Sequence, residues 1–152
     1  MATTLTTSTL AVSITENITI NGVTYNKTET KNITDIKGYN TRIYSIANNA
    51  SGFTTMATFS TAGTDADFDS DNVKYIRLLN LDDTASVIVT FSEAATAQAI
   101  TLPALTSVVL FSPSIQGATS KAGISAIDPI ETIFVRNESG AAVDMELVVA
   151  TI

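Results

Sequence analysis

The sequence predicts an all-β protein: an antiparallel β-sandwich, jelly-roll-like, with a short N-terminal arm. Three observations carry that prediction. Runs of β-branched and aromatic residues recur at roughly 8–12-residue spacing, bounded by small polar turns, which gives about ten strands in all. Several runs alternate apolar and polar residues with the period of two that marks half-buried strands. No segment sustains a helical period. The best helical candidate, Glu93–Ala99, spans only about two turns before Pro103 and reads as a loop or a single turn.

Taken in order, residues Met1–Thr9 are polar and without period, and read as an arm. Residues 10–152 form one sandwich domain, a size within the usual single-domain range. The stretch Ile18–Tyr25 places Asn21-Gly22 between alternating β-formers. Asn-Gly there marks a type I′ hairpin turn, because both central residues must take positive φ. A further strand is expected from about Glu29 to Ile36, ending near Gly38.

A weak internal repeat follows. The strands Tyr44–Asn48, Ile76–Asn80 and Ile133–Asn137 each end in Asn, and each precedes a small polar turn and a second apolar strand. Asn48 to Phe59, Asn80 to Phe91 and Asn137 to Val148 are all eleven positions apart. The spacing predicts three hairpins of one length, turning at Asn49–Gly52, Asp82–Thr84 and Glu138–Gly140. In the second, Val87, Val89 and Phe91 share a face opposite Ser86, Thr90 and Ser92. In the last strand, Val143, Met145, Leu147 and Val149 lie opposite Asp144 and Glu146. Ala99–Leu102 and Ser107–Phe111 are short apolar strands around Pro103. Ser107–Phe111 has no polar face, so it needs cover on both sides, from a loop, another subunit or an assembled shell.

Composition excludes several chemistries. The 152 residues include no Cys, His or Trp. Without Cys there is no disulfide framework, zinc knuckle, thiol nucleophile or iron–sulfur cluster. Without His, imidazole-based catalysis is gone. A net charge of -7 and a pI near 4.3 argue against nucleic-acid binding. No apolar run is long enough to cross a membrane as a helix. Met1–Thr9 lacks the basic and apolar regions of a secretion signal, so a protein made and used without secretion by that route is expected. Charged residues are only 15% and threonine is about one residue in six. A surface of hydroxyls and small apolar groups suits lasting protein contacts, so a homo-oligomer or larger assembly is expected.

Candidate sites are few. Asp65, Asp67, Asp69 and Asp71 alternate as in a calcium loop, but Ser70 stands where the loop glycine belongs and Ile76 where a bidentate Glu would close it. The stretch reads as an acidic surface loop anchored by Phe68, with a structural calcium as the alternative. The absence of Trp and of aromatic platforms weakens glycosidase and lectin readings. Ser120-Lys121 reads as a loop, and no nucleophile-elbow or phosphate-loop motif occurs. Asn-x-Ser/Thr triplets at Asn17, Asn26, Asn32, Asn49 and Asn137 read as strand and turn chemistry rather than glycosylation sites. Arg42, Arg77 and Arg136, one on each repeat strand, read as a solvated face, or as partners for acidic residues of a neighbouring subunit. No catalytic, cofactor-binding or metal residue is assigned, no cofactor is expected, and an enzyme is not expected.

FDSDNVKYIRLLNLDDTASVIVTF (Phe68–Phe91) resembles a stretch of small virion structural proteins of tailed phages, especially those infecting marine bacteria and cyanobacteria. VSITENITINGVTYNKTETKNITDI (Val12–Ile36) is similar to their N-terminal part, and IFVRNESGAAVDMELVVAT to their closing hairpin. The resemblance implies a virion component on the capsid surface: a cement or decoration protein that binds and stabilises the assembled shell. Its partners would be the major capsid protein and further copies of itself, as a trimer if it occupies threefold positions of the lattice. It equally admits a tail- or fibre-associated structural or receptor-binding module. A non-viral bacterial adhesin module is the remaining reading. The shared motifs are structural and transfer no catalytic residue.

Overall fold

The structure, a computed structural model, describes residues 6–60, 65–92, 97–111 and 130–152. Met1–Leu5, Glu93–Thr96 and Ser120-Lys121 lie outside the described residues. The described chain is all-β, with eleven strands. Strands β1 (Ser8–Ile20) and β2 (Val23–Ile36) pair only with each other. A four-stranded sheet runs β3-β11-β6-β9, from Gly38–Ile46, Val143–Thr151, Val73–Asn80 and Ser107–Leu110. A five-stranded sheet runs β5-β4-β10-β7-β8, from Phe68–Asp69, Thr54–Ser60, Thr132–Arg136, Val87–Ser92 and Ala97–Leu102. Every pairing is antiparallel except the short β4–β5 ladder.

The two large sheets bury a common core. Ile76, Leu78, Met145, Leu147 and Val149 face Met56, Phe59, Val89, Ile133 and Val135. The expected alternation holds: Val143, Met145, Leu147 and Val149 are buried while Asp144 is exposed. Two strands are longer than the sequence suggested. β2 runs unbroken from Val23 rather than starting near Glu29, and β8 starts at Ala97. Strand structure also begins at Ser8, within the segment read as an arm.

The three repeat units are not hairpins. β3 and β4, β6 and β7, and β10 and β11 each lie in opposite sheets. Each unit is therefore an arch that carries the chain from one sheet to the other. The link from β8 to β9 makes a fourth arch. All four sit at one end of the sandwich, because Ile46 pairs with Val143, Met145 with Asn80, Leu79 with Ser107, and Val87 with Leu102.

Two buried asparagines close that end. Asn80 Nδ2 donates to the carbonyls of Ala85 (2.8 Å), Leu102 (3.2 Å) and Pro103 (3.1 Å), and its Oδ1 accepts from Asp82 N. Asn137 Nδ2 donates to Ile46 O (2.8 Å) and Ala141 O (2.7 Å), while its Oδ1 accepts from Ser139 N and Oγ. Each asparagine thus spans its own arch and pins a neighbouring one. In the third unit the equivalent turn is made by Asn49, whose Oδ1 accepts from Ser51 N at the exposed surface.

The Pro103–Thr106 arch holds Leu105 at φ 54°. A bulky residue there meets its own backbone, at a cost of roughly 1–2 kcal/mol. Leu105 is also exposed, so its side chain returns little packing. Leu105→Asn is expected to raise stability by about 1 kcal/mol, measured as an increased urea midpoint at unchanged slope.

Candidate interaction surface: a projecting hairpin with one apolar face

The β1–β2 turn forms as its sequence dictates, with φ of 52° at Asn21 and 79° at Gly22. The register then fixes the two faces. Leu10, Val12, Ile14, Glu16, Ile18 and Ile20 lie opposite Ile33, Lys31, Glu29, Lys27, Tyr25 and Val23. These twelve residues share one face, because directly paired side chains point the same way and the period is two. The other face carries Ser13, Thr15, Asn17 and Thr19 against Thr30, Thr28, Asn26 and Thr24. It is zipped by hydroxyl pairs Ser13–Thr30, Thr15–Thr28 and Thr19–Thr24 at 2.8–3.0 Å.

Only the base of the hairpin is packed. Leu10, Val12, Ile33 and Ile36 meet Tyr75, Val109, Val148, Ala150 and Ile152 on the outer side of the four-stranded sheet. A bulge opposes Thr9 with Thr34 and Asp35, and Asp35 takes φ 63°. The extra residue returns Ile36 to the apolar face, where it is buried. The hairpin base also resolves the cover of β9: Val108 and Leu110 face the main core and Val109 faces the hairpin. The second cover expected for that strand is thus supplied by the chain itself.

Beyond the base the apolar face is open. Ile14, Ile18, Ile20, Val23 and Tyr25 are each 52–58% exposed. Sequence reasoning found the turn but missed this surface. Its signal was there in the alternation of Leu10, Val12, Ile14, Ile18 and Ile20 with Ala11, Ser13, Thr15, Asn17 and Thr19. On the adjoining outer sheet face, Tyr39 and Ile43 are also exposed.

The acidic loop is built as structure. Asp67 accepts from Thr58 N (3.0 Å) and Thr58 Oγ1 (2.9 Å) and pairs with Arg42 at 3.4 Å. Asp69 accepts from Asp71 N and Asn72 Nδ2. Phe68 is buried, stacked on Phe59 at 5.6 Å, with the Arg42 guanidinium 5.5 Å from its ring. Among the described residues no group of three or more metal-ligating side chains converges.

The three arginines do not wait for a neighbouring subunit. Arg42 pairs with Asp67, Arg77 with Glu146, and Arg136 with Glu138 at 3.0 Å, all within the chain. Of the asparagine triplets, Asn17 and Asn26 face each other on the hairpin, and Asn137 is buried as an arch pin. A shallow hollow at the arch end is lined by Thr84, Ser86, Ile88, Thr101, Arg136 and Glu138.

Burial opposes ionisation of Asp67, but the hydrogen bonds from Thr58 and Arg42 outweigh it and hold the carboxyl below its usual range. Asp82 is lowered by the amides of Ala85 and Thr84. A depressed native pKa stabilises above the unfolded carboxyl range and is lost as pH falls through the native value. Stability is therefore expected to fall below about pH 4. Asp82→Asn, which keeps an acceptor without the titration, should flatten that fall in urea unfolding at pH 7 and pH 3.

Fold and surface together define a two-sheet β-sandwich with a projecting amphipathic hairpin. Comparison with protein-family models, with curated proteins and with solved structures finds no match for this chain.

Proposed function

We propose that this protein is a structural subunit of a tailed-phage virion, a capsid cement or decoration protein that binds the assembled shell and other copies of itself. The observation that carries this reading is the projecting hairpin, whose apolar face extends well past what its own sandwich covers. An element of that kind serves contacts outside the domain. The resemblance of Val12–Ile36 and Phe68–Phe91 to small virion proteins supplies the setting. Fold analogy supports it too. Counting β3, β4 and β6 to β11 as strands 1 to 8, the sheets run 1-8-3-6 and 2-7-4-5. Eight strands so divided between two sheets, with β5 added at one edge, support the jelly-roll reading, an architecture found in viral capsid and lectin domains.

A subunit that binds only the assembled lattice stabilises it by its binding free energy, repeated over many copies. The test is co-sedimentation of the purified chain with undecorated shells built from the major capsid protein of the same genome. Binding, with a raised shell melting temperature, is the expected result. A chain that ignores shells and is found instead on purified tails would move the assignment to a tail or fibre component.

A further inference from the structure

The exposed stretch of the hairpin cannot be self-sufficient. Two strands are marginal in water, and three or more with a hydrophobic face are needed for independent stability. The open face also has a particular charge pattern. Glu16, Lys27, Glu29 and Lys31 are its only charged residues, so it is neutral in a chain of net charge -7. Lys27 pairs with Glu29 at 2.7 Å, which leaves Glu16 and Lys31 with no ion pair among the described residues. Among the described residues, Glu16, between Ile14 and Ile18, and Lys31, opposite Val12 near the packed base, are thus a carboxylate and an ammonium outside any ion pair.

We propose that this face is covered by the same face of a second copy of this chain. The proposal rests on the assembly reading above and names the partner of its hairpin. Copies of so acidic a chain repel each other over most of their surface. The neutral hairpin face lets them meet without that penalty and, unlike the uncharged hydroxyl face behind it, has apolar surface to bury, while its charges of both signs suit a self-complementary contact. A second hairpin brings two strands of the same length and pattern. The stacked pair has four strands, with Ile14, Ile18, Ile20, Val23 and Tyr25 of each copy inside and the threonine zippers outside.

Sedimentation equilibrium of the full chain tests this with two charge-block variants. Glu16→Lys/Glu29→Lys makes the face wholly basic, and Lys27→Glu/Lys31→Glu makes it wholly acidic. The wild-type chain should self-associate. Each variant alone should associate at least about tenfold more weakly, because like charges then meet across the contact. An equimolar mixture of the two should associate again. All four residues are exposed, so the fold is expected to survive, and matching far-UV circular dichroism confirms it. A wild-type chain monomeric up to high-micromolar concentration, variants that associate as it does, or a mixture that stays monomeric would each overturn the proposal. Loss of shell binding in variants of a monomeric wild type would assign the face to the shell instead. Self-association that follows this pattern in a chain that binds no shell would uphold the contact and remove the virion assignment.

Discussion

Replacing Asn137 by alanine is expected to cost about 3–5 kcal/mol of unfolding free energy, and Asn80→Ala about as much. Both side chains are buried, and each uses its amide hydrogens and its carbonyl oxygen at once. Alanine removes the hydrogen bonds and takes the side-chain donor from the buried carbonyl of Ile46 or of Leu102, while Ala141 O keeps Ser139 Oγ and Pro103 O keeps Thr106. The acid variants sharpen the test. Asn80→Asp keeps the acceptor but aims a carboxylate at carbonyl oxygens. It should be worse than Asn80→Ala at pH 7 and should recover in part as pH falls and the carboxyl regains a donor. Urea unfolding of the variants across pH measures both effects. A cost below about 1 kcal/mol for Asn137→Ala would mean that the arches are not held by these side chains.

The second large effect contrasts two apolar truncations. Leu78→Ala, in the fully buried centre of β6, should cost about 2–5 kcal/mol through lost burial and the cavity left behind. Ile18→Ala, on the open hairpin face, should change the stability of the isolated protomer by no more than about 0.5 kcal/mol. Thermal or urea unfolding at low protein concentration, where copies stay apart, separates the two.

The sequence was most legible where physics is local. The Asn21-Gly22 turn follows from the φ values its two residues tolerate. The alternation in Val143–Val149 places side chains in and out of a core whatever the neighbouring strands are. The arches were misread because a strand, a polar turn and a second strand look alike in sequence whether the second strand pairs with the first or crosses to the facing sheet. The spacing of Asn80 and Asn137 from the strands that follow is not equal, since β7 starts at Val87 and β11 at Val143; what the two share is their reach to the carbonyls of Leu102 and Ile46, which belong to distant parts of the chain. The acidic loop was legible in outline, since Phe68 does anchor it. Its bonding to Thr58 and Arg42 depends on β3 and β4 arriving beside it.

The placement of β11 between β3 and β6 also orders events during synthesis. Gly38 pairs with Thr151 and Ile76 with Val149, so among the described residues β3 has no sheet partner until β11 has left the ribosome. Such distant pairings form late, whereas the β1–β2 hairpin closes on its own neighbours within microseconds. The β1–β2 pairing is therefore the earliest contact open to the nascent chain, and it opens and closes until Tyr75, Val109, Val148 and Ala150 give its base a sheet to pack on. A chain cut short before Val143 would leave β3 and the β6–β9 pair with no common strand to join them.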